Sequence, residues 1–216
     1  MSKAYTIGII VFDGVLTAEV MGPAEVFANA AGSPEMQGTH VLLIGVEATP
    51  TVCTEEGIRL SVDATIADDL ALDVLFVPGG NEVEHLQANA QLNAFIQQQE
   101  KSAEWVGSAC AGAFILGSAG VLDGKQATTW FGGETLLQEQ FPAIQVVYDR
   151  PVVVDNRRIT ANGGLVSYRA ALVLLGRLSN PALAQKVYKH LNIGRLGTWA
   201  EIDAEIPRNS VEPRLA

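Results

Sequence analysis

Cysteine is scarce in this chain: only Cys53 and Cys110 occur among 216 residues. They stand far apart in different local settings, so neither a disulfide framework nor a cysteine zinc site has support, and each is read alone. Histidine is nearly as sparse, with His40, His85 and His190 scattered along the chain. Basic residues number 14 against 24 acidic ones, a formal net charge of −10, and they form no cluster. Nucleic acid and anionic membranes both demand a positive surface, so neither is an expected partner. No apolar run reaches bilayer-spanning length, and Met-Ser-Lys-Ala-Tyr lacks the regions of a signal peptide. The expected location is the cytoplasm, and the expected partner is a small-molecule substrate.

Apolar residues are plentiful at 48%, with 18% charged residues and 21 glycines, a balance that suits a sheet buried on both faces. Tyr5 to Phe12, Val41 to Val46, Val74 to Val77 and Trp105 to Ser108 are short, nearly continuous apolar runs, read as buried parallel strands. Helical patterns follow over about 18–31, 92–101 and 111–119. This alternation implies right-handed crossovers and an α/β, doubly wound, mostly parallel sheet with helices on both faces. Two β-prone runs around Glu55-Glu56-Gly57 predict a hairpin over 52–62, which places Cys53 as inert packing. A helix is expected over 134–140, strands over 144–148, 152–154 and 158–160, the last two a hairpin, and helices over 165–178 and 181–191. Residues 1–195 are expected to form a single domain, and 196–216 a tail, extended or packed on the domain or a partner subunit.

Ligands of open parallel sheets bind outside the carboxyl ends of the strands, which selects Asp13 to Gly22, Pro78-Gly79-Gly80 and Ser108-Ala109-Cys110-Ala111-Gly112. A cysteine flanked by Gly107 and Gly112 between an apolar strand and a small-residue helix matches a nucleophile elbow. There it faces the positive end of the next helix, which favours thiolate; a buried packing cysteine would show the same spacing. Gly79 and Gly80, with Ala111, are candidate backbone oxyanion donors, although Pro-Gly-Gly also serves as a plain turn. Glu19 stands among Val15, Leu16, Val20 and Met21. A carboxyl against apolar walls beside a thiolate has its pKa raised and can hold a proton, unless it is a solvent-facing helix-start residue. Trp130 and Phe131 are candidate apolar walls for the pocket, or core.

Pro78-Gly79-Gly80, the elbow Ser108 to Gly112 and Glu19 together resemble the DJ-1/PfpI (ThiJ/PfpI) family of the class I glutamine amidotransferase-like fold, over roughly residues 5–178. Ser108 to Leu116, Ala119 to Thr129 and Ile159 to Leu172 look like the branch that contains isonitrile hydratases and the sensor-like domains of AraC-type regulators. The resemblance implies a flavodoxin-like fold, a dimer, Cys110 as nucleophile with Glu19 hydrogen-bonded to it, and no metal or organic cofactor. It also implies a hydro-lyase reaction: the thiolate attacks an isocyanide carbon, Glu19 handles the proton, and water releases an N-formamide.

The sequence departs from that branch in four places. Glu19 stands for Asp, Ala111 for Thr, Trp130-Phe131 for His-Trp, and Arg169 for Asp near the late helix start. Ala111 also stands where the protease branch carries His, which disfavours proteolysis. Two other functions are carried alongside: a non-catalytic ligand or redox sensing domain that uses Cys110, and a glyoxalase or deglycase using the same pair. The regulators continue into a helix-turn-helix domain, whereas this acidic sequence stops at Ala216, so DNA binding is not expected.

Overall fold

The computed structural model describes residues 3–198 and 200–202. In chain order the strands are β1 (Thr6–Val11), β2 (His40–Gly45), β3 (Thr51–Cys53), β4 (Arg59–Ser61), β5 (Ala64–Thr65), β6 (Val74–Val77), β7 (Trp105–Ala109), β8 (Gln126–Ala127), β9 (Gln145–Val146), β10 (Val152–Asp155) and β11 (Arg158–Ala161). The helices are α1 (Thr17–Ala31), α2 (Glu84–Gln87), α3 (Ala90–Ser102), α4 (Gly112–Ser118), α5 (Glu134–Gln140), α6 (Val166–Leu178) and α7 (Pro181–His190). Seven strands form the main sheet in the order β10-β11-β7-β6-β1-β2-β5. All neighbours are parallel except the β10–β11 hairpin. This is the doubly wound α/β sheet that the alternating pattern predicts, with the flavodoxin-like form that the family resemblance implies.

Burial on both faces explains the unbroken apolar strands. Ile7, Ile9, Ile10 and Val11 of β1 and all four residues of β6 are buried, each large side chain contributing about 1.5–3 kcal/mol over an exposed position. One face packs Val26 and Phe27 of α1 against Leu174 and Leu175 of α6. The other packs Leu92, Phe95 and Ile96 of α3 against Phe114 and Ile115 of α4. Gly22 allows α1 to lie close on α6: a Cβ there would sit 3.0 Å from Tyr168 N and 3.1 Å from Ser167 Cβ.

Helix α3 begins earlier than its apolar pattern suggested, because Asn89 caps it, accepting from the N–H groups of Gln91 and Leu92 at 3.0 Å. Of the strand expected over 144–148, only Gln145–Val146 pairs, in parallel with β8 and outside the main sheet. The 52–62 hairpin forms as β3–β4, but Cys53 is exposed rather than packed. The correction follows from strand alternation: Val52 takes the core side of β3, so its neighbours face solvent. The tail expected beyond Arg195 falls mostly on residues 203–216, which lie outside the described residues. Among the described residues no helix is long and apolar enough to cross a membrane.

Chain order across the sheet reverses beside β1: β2 and β5 lie on one side, β6, β7, β11 and β10 on the other. The loops after β1, β6 and β7 therefore converge at the carboxyl edge where ligands bind in such folds.

Candidate active site

Cys110 closes β7 with φ 50°, a left-handed conformation that is uncommon for any residue but glycine. Several contacts hold it there. Cys110 N–H donates to Ala161 O at 2.9 Å, and Thr129 Oγ1–H donates to Cys110 O at 2.8 Å. Asn162 Nδ2–H donates in turn to Thr129 O. Gly112 makes the following turn possible, since any Cβ there would collide with the backbone of Val77 and Pro78. The strand, strained turn and short helix form the elbow expected from the small residues around Cys110.

Glu19 lies two residues inside α1 and is fully buried, at 0% exposure. Both carboxyl oxygens are held by backbone from other loops: Gly79 N–H donates to Oε2 at 2.7 Å and Gly164 N–H to Oε1 at 3.0 Å. The side chain also lies beside Cys110: a Cβ on Gly163 would meet both Glu19 Oε1 and Cys110 Sγ, and each group is a cause of the other's pKa shift. Burial pushes the Glu19 carboxyl above its ordinary value, against the opposing pull of the two backbone donors and the thiol. Burial also pushes the Cys110 thiol up, to about 12, with the Glu19 charge as the next cause. The nearby Ala111 N–H works the other way. The helix-end effect expected from sequence is thus real in sign but outweighed, and the thiol is not intrinsically acidic. The Glu19 charge raises the pKa of the sulfur beside it, so the proton affinities of the two groups depend on each other.

The clamp on Glu19 corrects a second expectation. Gly79 N–H is committed to the carboxyl and does not serve as an oxyanion donor. Gly80 and Ala111 remain as glycine-loop and elbow backbone on the cavity wall above Cys110. That cavity has a volume of about 280 Å³. Its apolar side is Val83, Phe114, Trp130 and Leu136, and its polar rim is Asn81, Glu84, Gln87 and Gln140. Trp130 stacks on Phe114 with centroids 5.0 Å apart and planes at 23°. Phe131, expected as a second wall, is 76% exposed and does not line the cavity. With Trp130 turned inward onto Phe114, the next side chain points out, just before Gly132 takes φ 91°. His85 and Arg169 are exposed and line no part of the cavity.

Sequence reasoning missed Gly163 and Gly164. Gly164 donates to Glu19, and a Cβ on Gly163 would collide with Glu19 Oε1 and lie 2.8 Å from Cys110 Cβ and 3.0 Å from Sγ. The signal was present as Asn162-Gly163-Gly164 between an apolar strand and a long helix, but nothing local ties that loop to residues 19 and 110. It also missed Thr129 as a brace on the elbow.

A buried carboxyl paired with a cysteine at a strained strand-to-helix turn, on a flavodoxin-like sheet, defines an α/β protein of the nucleophile-elbow class. The profile of the DJ-1/PfpI family matches residues 5–175, and the chain belongs to that family. It is 33% identical over 189 residues to an isonitrile hydratase of Pseudomonas putida, covering 87% of this chain and 78% of that one. It is 25% identical over 174 residues to the HTH-type transcriptional regulator GbdR of Pseudomonas aeruginosa, covering 80% of this chain and 46% of the regulator. The fold matches the crystal structure of Drosophila melanogaster DJ-1beta with a TM-score of 0.77 and 23% identity, over 88% of this chain and 98% of that one.

Proposed function

We propose that the chain is a cysteine-dependent hydro-lyase that adds water to an isocyanide to give an N-substituted formamide. The observation that carries the reading is the Glu19–Cys110 pair, a buried carboxyl beside a half-buried thiol that lines a cavity of about 280 Å³ with an apolar wall. The 33% identity to an isonitrile hydratase supports the choice of electrophile.

On this reading the Glu19 carboxylate takes the thiol proton as sulfur bonds to the terminal carbon of R–N≡C, then delivers that proton to the same carbon. The product is a thioimidate, R–N=CH–S–Cys110. Water adds to its carbon, the C–S bond breaks, and the proton balance returns Cys110 as thiol and releases R–NH–CHO. A carboxyl with a raised pKa suits both proton transfers near neutral pH, and the covalent adduct divides one hard step into two. Ala111 contributes only its backbone N–H, so developing charge on nitrogen or oxygen meets Gly80 and Ala111 backbone rather than a hydroxyl.

The test is turnover of an aryl isocyanide to its formamide by the purified protein beside Cys110→Ala. Formation abolished in the variant supports the reading. No turnover from folded, reduced protein overturns it in favour of a ligand-sensing role for the same site.

A further inference from the structure

We infer that Glu84 makes the Cys110 cavity select by charge, so that the electrophile taken here is uncharged or cationic, carries a flat apolar substituent, and is not an anion. This rests on Cys110 as the reactive group and deepens the proposal above by naming its substrate class. The polar rim is made of the neutral amides of Asn81, Gln87 and Gln140 and one carboxylate, Glu84, in the first turn of α2. Among the described residues, no lysine, arginine or histidine lines the cavity. Gln140 Nε2–H donates to Gln87 Oε1 at 2.5 Å, which ties α5 to α2 and keeps the Glu84 turn beside the mouth.

An anion entering this space loses water against Val83, Leu136 and the Phe114–Trp130 stack and finds no cation to offset the loss. A cation meets Glu84, which attracts it, and a neutral flat group meets the Phe114–Trp130 wall without an electrostatic cost. The general field of a chain with net charge −10 acts in the same direction, so the local contribution must be separated from it. Glu82 serves that purpose, being exposed, two residues away and outside the cavity lining.

The experiment measures labelling of Cys110 by methanethiosulfonates whose transferred groups are trimethylammonioethyl, hydroxyethyl and sulfonatoethyl, each rate divided by that for N-acetylcysteine. A Cys53→Ser background removes the exposed second thiol. The expected cation-to-anion rate ratio is about 10-fold or more at low salt, shrinking in 1 M salt. Glu84→Gln should lower the ratio about 3-fold or more and Glu84→Lys should reverse it, while Glu82→Gln changes it less than about 2-fold. A ratio unmoved by both Glu84 variants, or moved equally by Glu82→Gln, overturns the inference. Labelling is read without any isocyanide, so failed hydration with intact charge selection sinks only the reaction. Intact hydration without charge selection sinks only this inference.

Discussion

Gly79 donates its N–H to Glu19 Oε2 at 2.7 Å, a contact that ties the loop after β6 to the first helix and holds the acid against Cys110. With Gly164 N–H on the other oxygen, the clamp requires two acceptors on one side chain. Glu19→Gln offers one carbonyl oxygen and one NH2 group, so one backbone N–H must face another donor in a buried site. The expected cost is about 1–3 kcal/mol of stability, read as a lower urea midpoint with an unchanged slope. A midpoint equal to that of the parent protein would mean that the clamp is looser than these distances.

The same variant separates two roles of Glu19. Its charge is one cause of the raised Cys110 pKa, so Glu19→Gln should move the pH profile of iodoacetamide labelling toward lower pH. Turnover should nevertheless fall about 100-fold or more, because an amide accepts and delivers no proton. Turnover that rises together with labelling would assign Glu19 a purely electrostatic role.

Stability should also depend on the Cys110 proton. The folded state holds that proton more tightly than the unfolded chain, since burial moves the thiol from 9.0 to about 12. Its contribution is therefore complete below pH 9 and is lost as pH rises toward 12. Glu19 acts in the same sense from its own ordinary value of 4.5 upward. Denaturant melts between pH 8 and 10 should show the parent protein losing stability faster than Cys110→Ala, and parallel curves would contradict the assignment.

Gly163→Ala should disable the site while Glu19 and Cys110 themselves stay unchanged. Its Cβ would lie 2.8 Å from Cys110 Cβ and also press on Glu19 Oε1. Turnover should drop about 10- to 100-fold, in keeping with misplacement by a fraction of an ångström to an ångström. Kinetics at the parent level would mean that the 162–164 loop yields freely.

Trp130 and Phe131 should part company. Trp130→Ala removes the stacking face beside Phe114 and should raise KM for aryl substrates about 10-fold, the size expected from a lost aromatic contact of about 1.4 kcal/mol. Phe131→Ala removes an exposed ring and should leave KM within about 2-fold. Equal effects would place Phe131 over the cavity in solution.

How much of this was readable in advance differs from residue to residue. Cys110 between two glycines at the end of an apolar strand marked the elbow, and Glu19 in an apolar stretch marked a perturbed acid, because both signals are local. Continuous runs such as Tyr5 to Phe12 determined strands buried on both faces, and the alternation of strands with helices determined a parallel sheet, because those periodicities follow from which surfaces must leave water. Local pattern could not say which way a side chain turns when two aromatics adjoin, and so Phe131 was read as a wall. Nor could it separate Cys53 from Val52 on a three-residue strand. Only the tertiary structure decided that Gly79 serves the acid rather than an oxyanion, that Gly163 and Gly164 complete the pair, and that burial outweighs the helix end at Cys110. Each of these depends on groups far apart in the chain meeting at one sheet edge, where distance, desolvation and competition for a single N–H are settled by packing.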